Sequence, residues 1–155
     1  MYSFKAEQKI NCDINKVWDF ISSPKNLSLI TPSYMDFVIL NPELLEKMYP
    51  GMMIHYRVRP MMNIPVKWVT EITHVEEPYY FVDEQRIGPY RMWHHEHRLV
   101  ETKDGVLMLD TVHYVPPFGW IGDLAQALFI GDKLQSIFDY RRKKIDEIFN
   151  TSQQA

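Results

Sequence analysis

Three of the six histidines fall within Trp93-His94-His95-Glu96-His97, and imidazoles so spaced suit proton transfer, metal ligation or a buried polar network. Side chains alternate faces along a strand, so His95 and His97 share one face with Trp93 and Leu99, while His94, Glu96 and Arg98 share the other. The same alternation groups Asp83 with Phe81, Gln85 and Ile87, and Asp110 with Met108, Val112 and Tyr114. An aspartate beside a histidine stays ionised and raises the imidazole pKa, which is how an acid/base pair is built. His95, His97, Asp83 and Asp110 are therefore the catalytic candidates. The same groups could equally satisfy one another and pin the strand register, since buried polar groups need partners. That is the favoured reading.

Two imidazoles at i and i+2 lie about 6.6 Å apart along a strand and can converge on one ion. With Asp83 or Asp110 they would mimic a two-histidine, one-carboxylate site. Nothing in the sequence puts a carboxylate at the matching level, so no metal and no cofactor are expected. A zinc-protease reading fails because His94-His95-Glu96-His97 lacks the His-Glu-x-x-His spacing and is not helical. Cys12, the only cysteine, lies at a strand end without a clear cationic neighbour and reads as an inert thiol. It also excludes an internal disulfide framework and fits a reducing compartment. Neither a Gly-x-Ser-x-Gly elbow nor a phosphate-binding glycine loop is present.

The elements that must hold these residues follow from periodicity. Residues 3–11 alternate Phe4, Ala6, Gln8 and Ile10 against polar neighbours and predict a strand. Asp13 is placed to cap a short helix carrying Ile14, Val17, Trp18 and Ile21, and 24–30 predicts a second one. Extended runs near 35–40, 52–60, 65–75, 79–87, 89–99 and 105–115 predict an antiparallel meander, turning at Gly88-Pro89 and Lys103-Asp104-Gly105. A long amphipathic helix is predicted over 123–149, about 40 Å if unbroken. Its apolar stripe is Leu124, Leu128, Leu134, Ile137, Phe138, Ile145, Ile148 and Phe149, and the basic run Arg141–Lys144 reads as its solvated face. Such a sheet and helix bury their apolar faces against each other, and strong curvature tends to leave a gap between them.

The chain has 155 residues, 46% hydrophobic and 24% charged, which suits one globular domain over 1–155 and excludes disorder. Seventeen Lys plus Arg against 20 Asp plus Glu lack the basic footprint of a nucleic-acid binder. No run is long and apolar enough for a membrane span, and the first residues lack the apolar stretch of a secretory signal, so a cytoplasmic address is expected. Eight Phe, nine Tyr, four Trp and nine Met exceed what so small a domain obviously needs to fill itself. The inward parity allocates four of them, Tyr56, Trp68, Phe81 and Trp93, alongside Ile54, Val58, Val66, Thr70 and Ile72.

Asp13-x-x-x-Val17-Trp18-Asp19-Phe20-Ile21, Pro24-x-Asn26-Leu27 and Thr31-Pro32 resemble the opening of the START-related superfamily with the helix-grip fold (SRPBCC), which includes polyketide cyclase/dehydrase-like proteins and plant pollen-allergen-type carriers. Phe81-x-Asp83-x-Gln85, Gly88-Pro89-x-x-x-Trp93-x-His95-x-His97, Asp110-x-Val112-x-Tyr114 and Ile137-Phe138-x-Tyr140-Arg141 are similar to a bacterial, cell-division-inhibitor-like branch. The resemblance spans 3–149. It implies an α+β helix-grip fold, with a curved antiparallel sheet of six or seven strands wrapped on one long C-terminal helix and two short helices after the first strand. It also implies a START-like ligand-binding domain whose cavity takes hydrophobic, lipid- or polyketide-like molecules.

The first functional expectation is a small protein holding a hydrophobic or aromatic molecule between sheet and helix, contacted by Tyr56, Trp68, Phe81, Gln85, Trp93, Met108 and Tyr114. The second is a cyclase- or dehydratase-type enzyme using a His/Asp pair. The third is a non-catalytic regulator whose Pro117–Gly122 loop, with Phe118 and Trp120, meets a partner. A homodimer is left open.

Overall fold

Alternating burial along extended runs builds a seven-stranded antiparallel sheet. The computed structural model describes residues 1–41, 43, 46–60, 64–119 and 129–150. The strands are β1 (Tyr2–Ile10), β2 (Val38–Ile39), β3 (Met53–Val58), β4 (Val66–Glu76), β5 (Tyr80–Ile87), β6 (Met92–Thr102) and β7 (Gly105–Val115). Their spatial order, β1-β7-β6-β5-β4-β3-β2, is a meander from β2 to β7 with β1 returning to lie beside β7. The β6–β7 hairpin turns through Lys103-Asp104, with Gly105 opposite Thr102 at a φ of 134° that favours glycine.

Helix α1 (Ile14–Ile21) starts where Asn15 N donates to the Asp13 carboxylate at 2.9 Å, the expected cap. It buries Ile14, Val17, Trp18 and Ile21, and Trp18 sets its ring edge against Phe81 at 5.9 Å. The second short helix is a 3-10 turn, Pro24–Ser28, narrower than the expected 24–30. The strand expected over 35–40 shrinks to Val38–Ile39. Ser33–Met35 forms another 3-10 turn, and Asp36 leaves it at a φ of 44°.

Helix α2 (Gly131–Ile145) continues into a π-helical turn, Asp146–Asn150. Of the helix predicted over 123–149, residues 123–128 lie outside the described residues. Leu134, Phe138 and Ile145 bury one face of α2, and Phe138 meets Phe4 of β1 at 4.7 Å. The amide of Gln8 donates to the Arg142 carbonyl and to Asp146 Oδ1, both at 2.9 Å, and the Arg142 guanidinium donates to the Glu7 carbonyl at 3.0 Å. These bonds tie the C-terminal helix to the first strand. The result is an α+β, helix-grip-like arrangement of a curved sheet and one C-terminal helix. No helix among the described residues is long and apolar enough to cross a membrane.

Two irregularities re-aim side chains. Ile72 faces Asp83 but His74 faces Val82, so Thr73 is an extra residue on β4. Beyond it the inward parity passes to Val75, which packs on the core. Thr70 faces Gln85 but Val69 faces Ile87, so Arg86 is extra on β5. Ile87, expected inside, consequently lies opposite outward Val69 and is 60% exposed.

Candidate functional site

Asp83 on β5 pairs directly with His95 on β6, and His97 on β6 pairs directly with Asp110 on β7. Cross-strand partners on one face hold their side chains about 5 Å apart at Cβ, so this register forces four polar groups together. His97 Nε2 lies 2.8 Å from Asp83 Oδ2, and His95 Nε2 lies 3.0 Å from Asp110 Oδ1, both aligned as hydrogen bonds. The remaining ring nitrogens make closing contacts: His95 Nδ1 is 3.3 Å from Asp83 Oδ2 and His97 Nδ1 is 2.9 Å from Asp110 Oδ1. Each imidazole thus spans both carboxylates. The two rings lie 3.8 Å apart between centroids, with Phe81 stacked on His97 at 4.0 Å and Phe138 edge-on to His95 at 5.7 Å.

Burial alone would push both carboxyls up and the imidazole down, yet the contacts reverse this. Asp83 is held well below the usual carboxylate range by the charge of His95 and the hydrogen bonds of both histidines. Asp110 is lowered by hydrogen bonds from His95 and His97 and by the charge of Arg141, whose Nη1 reaches Oδ1 at 3.5 Å. For His95, the charge of Asp83 and the bond to Asp110 outweigh burial and raise its pKa. Desolvation and pairing are both large here, and pairing wins.

In front of this cluster lies a cavity of about 180 Å³ between the sheet and α2. Tyr56, Trp68, Phe81 and Trp93 wall it from the sheet, and Leu134, Ile137 and Phe138 close it from α2. Asp83, His95, His97 and Arg141 also line it, whereas Asp110 stands behind them. Tyr56 donates to or accepts from Thr70 Oγ1 at 3.1 Å, and burial holds its phenol well above the ordinary tyrosine value. Trp68 stacks on Tyr56 at 5.9 Å and meets Trp93 edge-on at 5.5 Å. The buried indole N–H of Trp68 has no acceptor among the described residues.

Three residues expected at the cavity are placed elsewhere. The amide of Gln85 folds back on the Gly88 turn, donating to the Tyr90 carbonyl at 2.6 Å and accepting from Tyr90 N at 3.2 Å. Met108 packs in the core with Ile10, Leu99 and Ile145. Tyr114 is 2% exposed in a cluster with Val112, Ile130 and Leu134, against Tyr90 and Trp93. Sequence reasoning also missed two contributors. Arg141, expected on the solvated face, falls three residues after Phe138 and four before Ile145, the spacing of the buried stripe. Tyr90, at the wall, lies in the turn before β6, where strand alternation gives no guidance; burial pushes its phenol up to about 12. Phe118, in the loop that the third functional expectation makes a partner surface, is 78% exposed with a φ of 65°, and Trp120 lies outside the described residues.

No family model matches the chain, and no curated protein matches it in sequence. Solved structures do match its fold. Protein CV1439 from Chromobacterium violaceum superposes with a TM-score of 0.74 at 7% identity, covering 96% of this chain and 98% of its own. TTHA0849 from Thermus thermophilus gives 0.67 at 17% identity, over 94% and 95%. Ms6760 from Mycobacterium smegmatis gives 0.65 at 13% identity, over 94% and 92%. At these identities the likeness is one of fold: a helix-grip-like α+β architecture shared along nearly the whole length.

Proposed function

We propose that the chain binds a small hydrophobic or aromatic molecule between its sheet and α2, as a carrier of the START-related (SRPBCC) kind. The observation that carries this reading is the buried indole N–H of Trp68, without an acceptor among the described residues, on the wall of a largely apolar cavity. A buried donor without an acceptor costs about 1–3 kcal/mol, and an occupant with an oxygen at that wall removes the cost. The volume, about 180 Å³, is near that of an engineered cavity of about 150 Å³ that holds benzene. It falls short of the roughly 300–1,000 Å³ of pockets for drug-sized ligands. The occupant is therefore a single ring or a short branched chain with one acceptor, or the corresponding end of a longer lipid- or polyketide-like molecule.

Native mass spectrometry of protein purified from its host is expected to show one retained small molecule per chain. Trp68→Phe keeps an aromatic wall, removes the donor, and should weaken rebinding of the identified molecule about tenfold, the worth of one hydrogen bond. Protein that is always empty, and whose tryptophan fluorescence does not respond to millimolar single-ring phenols and carbonyl compounds, would overturn the reading.

A cyclase- or dehydratase-type reaction is the second reading, favoured by Asp83, His95 and His97 lining that same cavity. A bound molecule would then meet an imidazole able to move a proton and a carboxylate able to orient it. If this is so, His97→Gln abolishes turnover while binding survives; binding without turnover by the native protein sinks it.

A further inference from the structure

Asp110 is the buried carboxylate with a cation beside it, Arg141. Asp83 is different: among the described residues no lysine or arginine pairs with it, and its charged contacts are the two imidazoles. Buried carboxylates are paired or coordinate metals. The order of the groups also matters. Asp83, His95 and His97 face the cavity, while Asp110 sits behind and contacts the other nitrogen of each ring, His95 Nε2 at 3.0 Å and His97 Nδ1 at 2.9 Å. A carboxylate that fixes ring orientation through the far nitrogen is the usual support of a metal-bound histidine. Three ligand atoms from Asp83, His95 and His97 lie within 4.8 Å of one another. The spacings of 3.3 and 2.8 Å from Asp83 Oδ2 to His95 Nδ1 and His97 Nε2 are those of ligands about 2.0–2.1 Å from a shared ion.

We propose that Asp83, His95 and His97 bind one divalent transition-metal ion, with Asp110 holding the far side of both imidazoles and the cavity supplying the open coordination positions. Two imidazoles and one carboxylate suit zinc, iron(II) or manganese rather than calcium or magnesium. The site departs from the sequence expectation of no metal, and it does not need the cavity to hold an organic ligand.

The test is calorimetric titration of tag-free, chelator-stripped protein with Zn(II), with Co(II) absorption as an independent readout. One ion per chain with a Kd of about 10 μM or tighter is expected, and Co(II) should develop visible bands of a nitrogen- and oxygen-ligated site. Asp83→Asn and His97→Gln should each weaken binding by at least about 100-fold, and Asp110→Asn by about 10–100-fold. His94→Gln, on the opposite face of β6, should leave binding unchanged. No saturable site below about 1 mM in the native chain, or binding lost in His94→Gln yet kept in His97→Gln, overturns the proposal. Where a variant lacks the native circular-dichroism spectrum, Mn(II) broadening of histidine resonances in the native protein decides. His95 and His97 broadening first supports the site, and His94 or His74 broadening first refutes it.

Discussion

Strands β5 and β6 carry nearly the same chemistry on both faces. On the inner face Asp83, His95 and His97 meet Asp110 and Arg141; on the outer face Glu84, His94 and Glu96 meet Arg86 and Glu71. The shortest histidine–carboxylate contacts are equal, 2.8 Å for His97–Asp83 and 2.8 Å for His94–Glu84. Exposure separates them: the His97 and Asp83 side chains are 5% and 18% exposed, with Asp110 behind them at 2%, and those of His94 and Glu84 are 30% and 28% exposed. Water screens the outer ladder and competes for its hydrogen bonds, so it contributes little. Inside, each lost partner leaves a desolvated charge. A histidine–acid pair is therefore not a site by composition or by distance. It becomes one where it is dry on one side and borders a cavity on the other.

The largest test of that contrast is Asp110→Ala, which strips both imidazoles and Arg141 of their shared partner. Breaking a buried pair costs about 3–5 kcal/mol, read as a lowered urea midpoint with an unchanged slope. A loss no larger than at the outer face would erase the distinction. Next comes alkaline pH. The Tyr90 phenol ionises near 12 when folded but near 10 when unfolded. The unfolded chain therefore loses its proton first, and stability present below pH 10 drains away as pH rises toward 12. Tyr90 alone accounts for about 2–3 kcal/mol, and Tyr56 shifts in the same direction. Urea midpoints that are flat between pH 9 and 11.5 would show these walls to be wetter than their burial implies. Arg141→Met keeps the side-chain stem but removes the cation beside Asp110 and should cost about 1–3 kcal/mol. On the outer face, Glu84→Ala removes the partner of both His94 and Arg86, and a loss below about 1 kcal/mol is expected. A larger loss would mean that the outer ladder is a coupled network.

Alternation alone was enough to place His95, His97, Asp83 and Asp110 on one face, because β6 and β7 run without a bulge from Met92 to Val115, the extra residue of β5, Arg86, lies beyond Asp83, and Thr73 is extra on β4 alone. Which aspartate faces which histidine depends on cross-strand register, a long-range property absent from any one strand. Ile87 was misplaced for the same reason, since the extra residue Arg86 flips every side chain after it. Gln85 keeps its predicted parity but spends its amide on the neighbouring turn, a choice between local and distant partners that composition does not reveal. For Arg141 the helical spacing was legible, and its charge is met inside by Asp110 rather than by water.

The bonds from Gln8 to Arg142 and Asp146 also bear on how the molecule is made. As the chain emerges from the ribosome, β1 comes first, yet its sheet partner β7 follows about a hundred residues later and its helical partner later still. The first strand synthesised is the last to be enclosed, so the native topology is rich in contacts between distant positions, and such topologies fold slowly. Nascent chains stalled before residue 131 should leave Phe4, Ala6 and Ile10 accessible to chaperones or proteases, and docking of α2 on release of the chain should protect them.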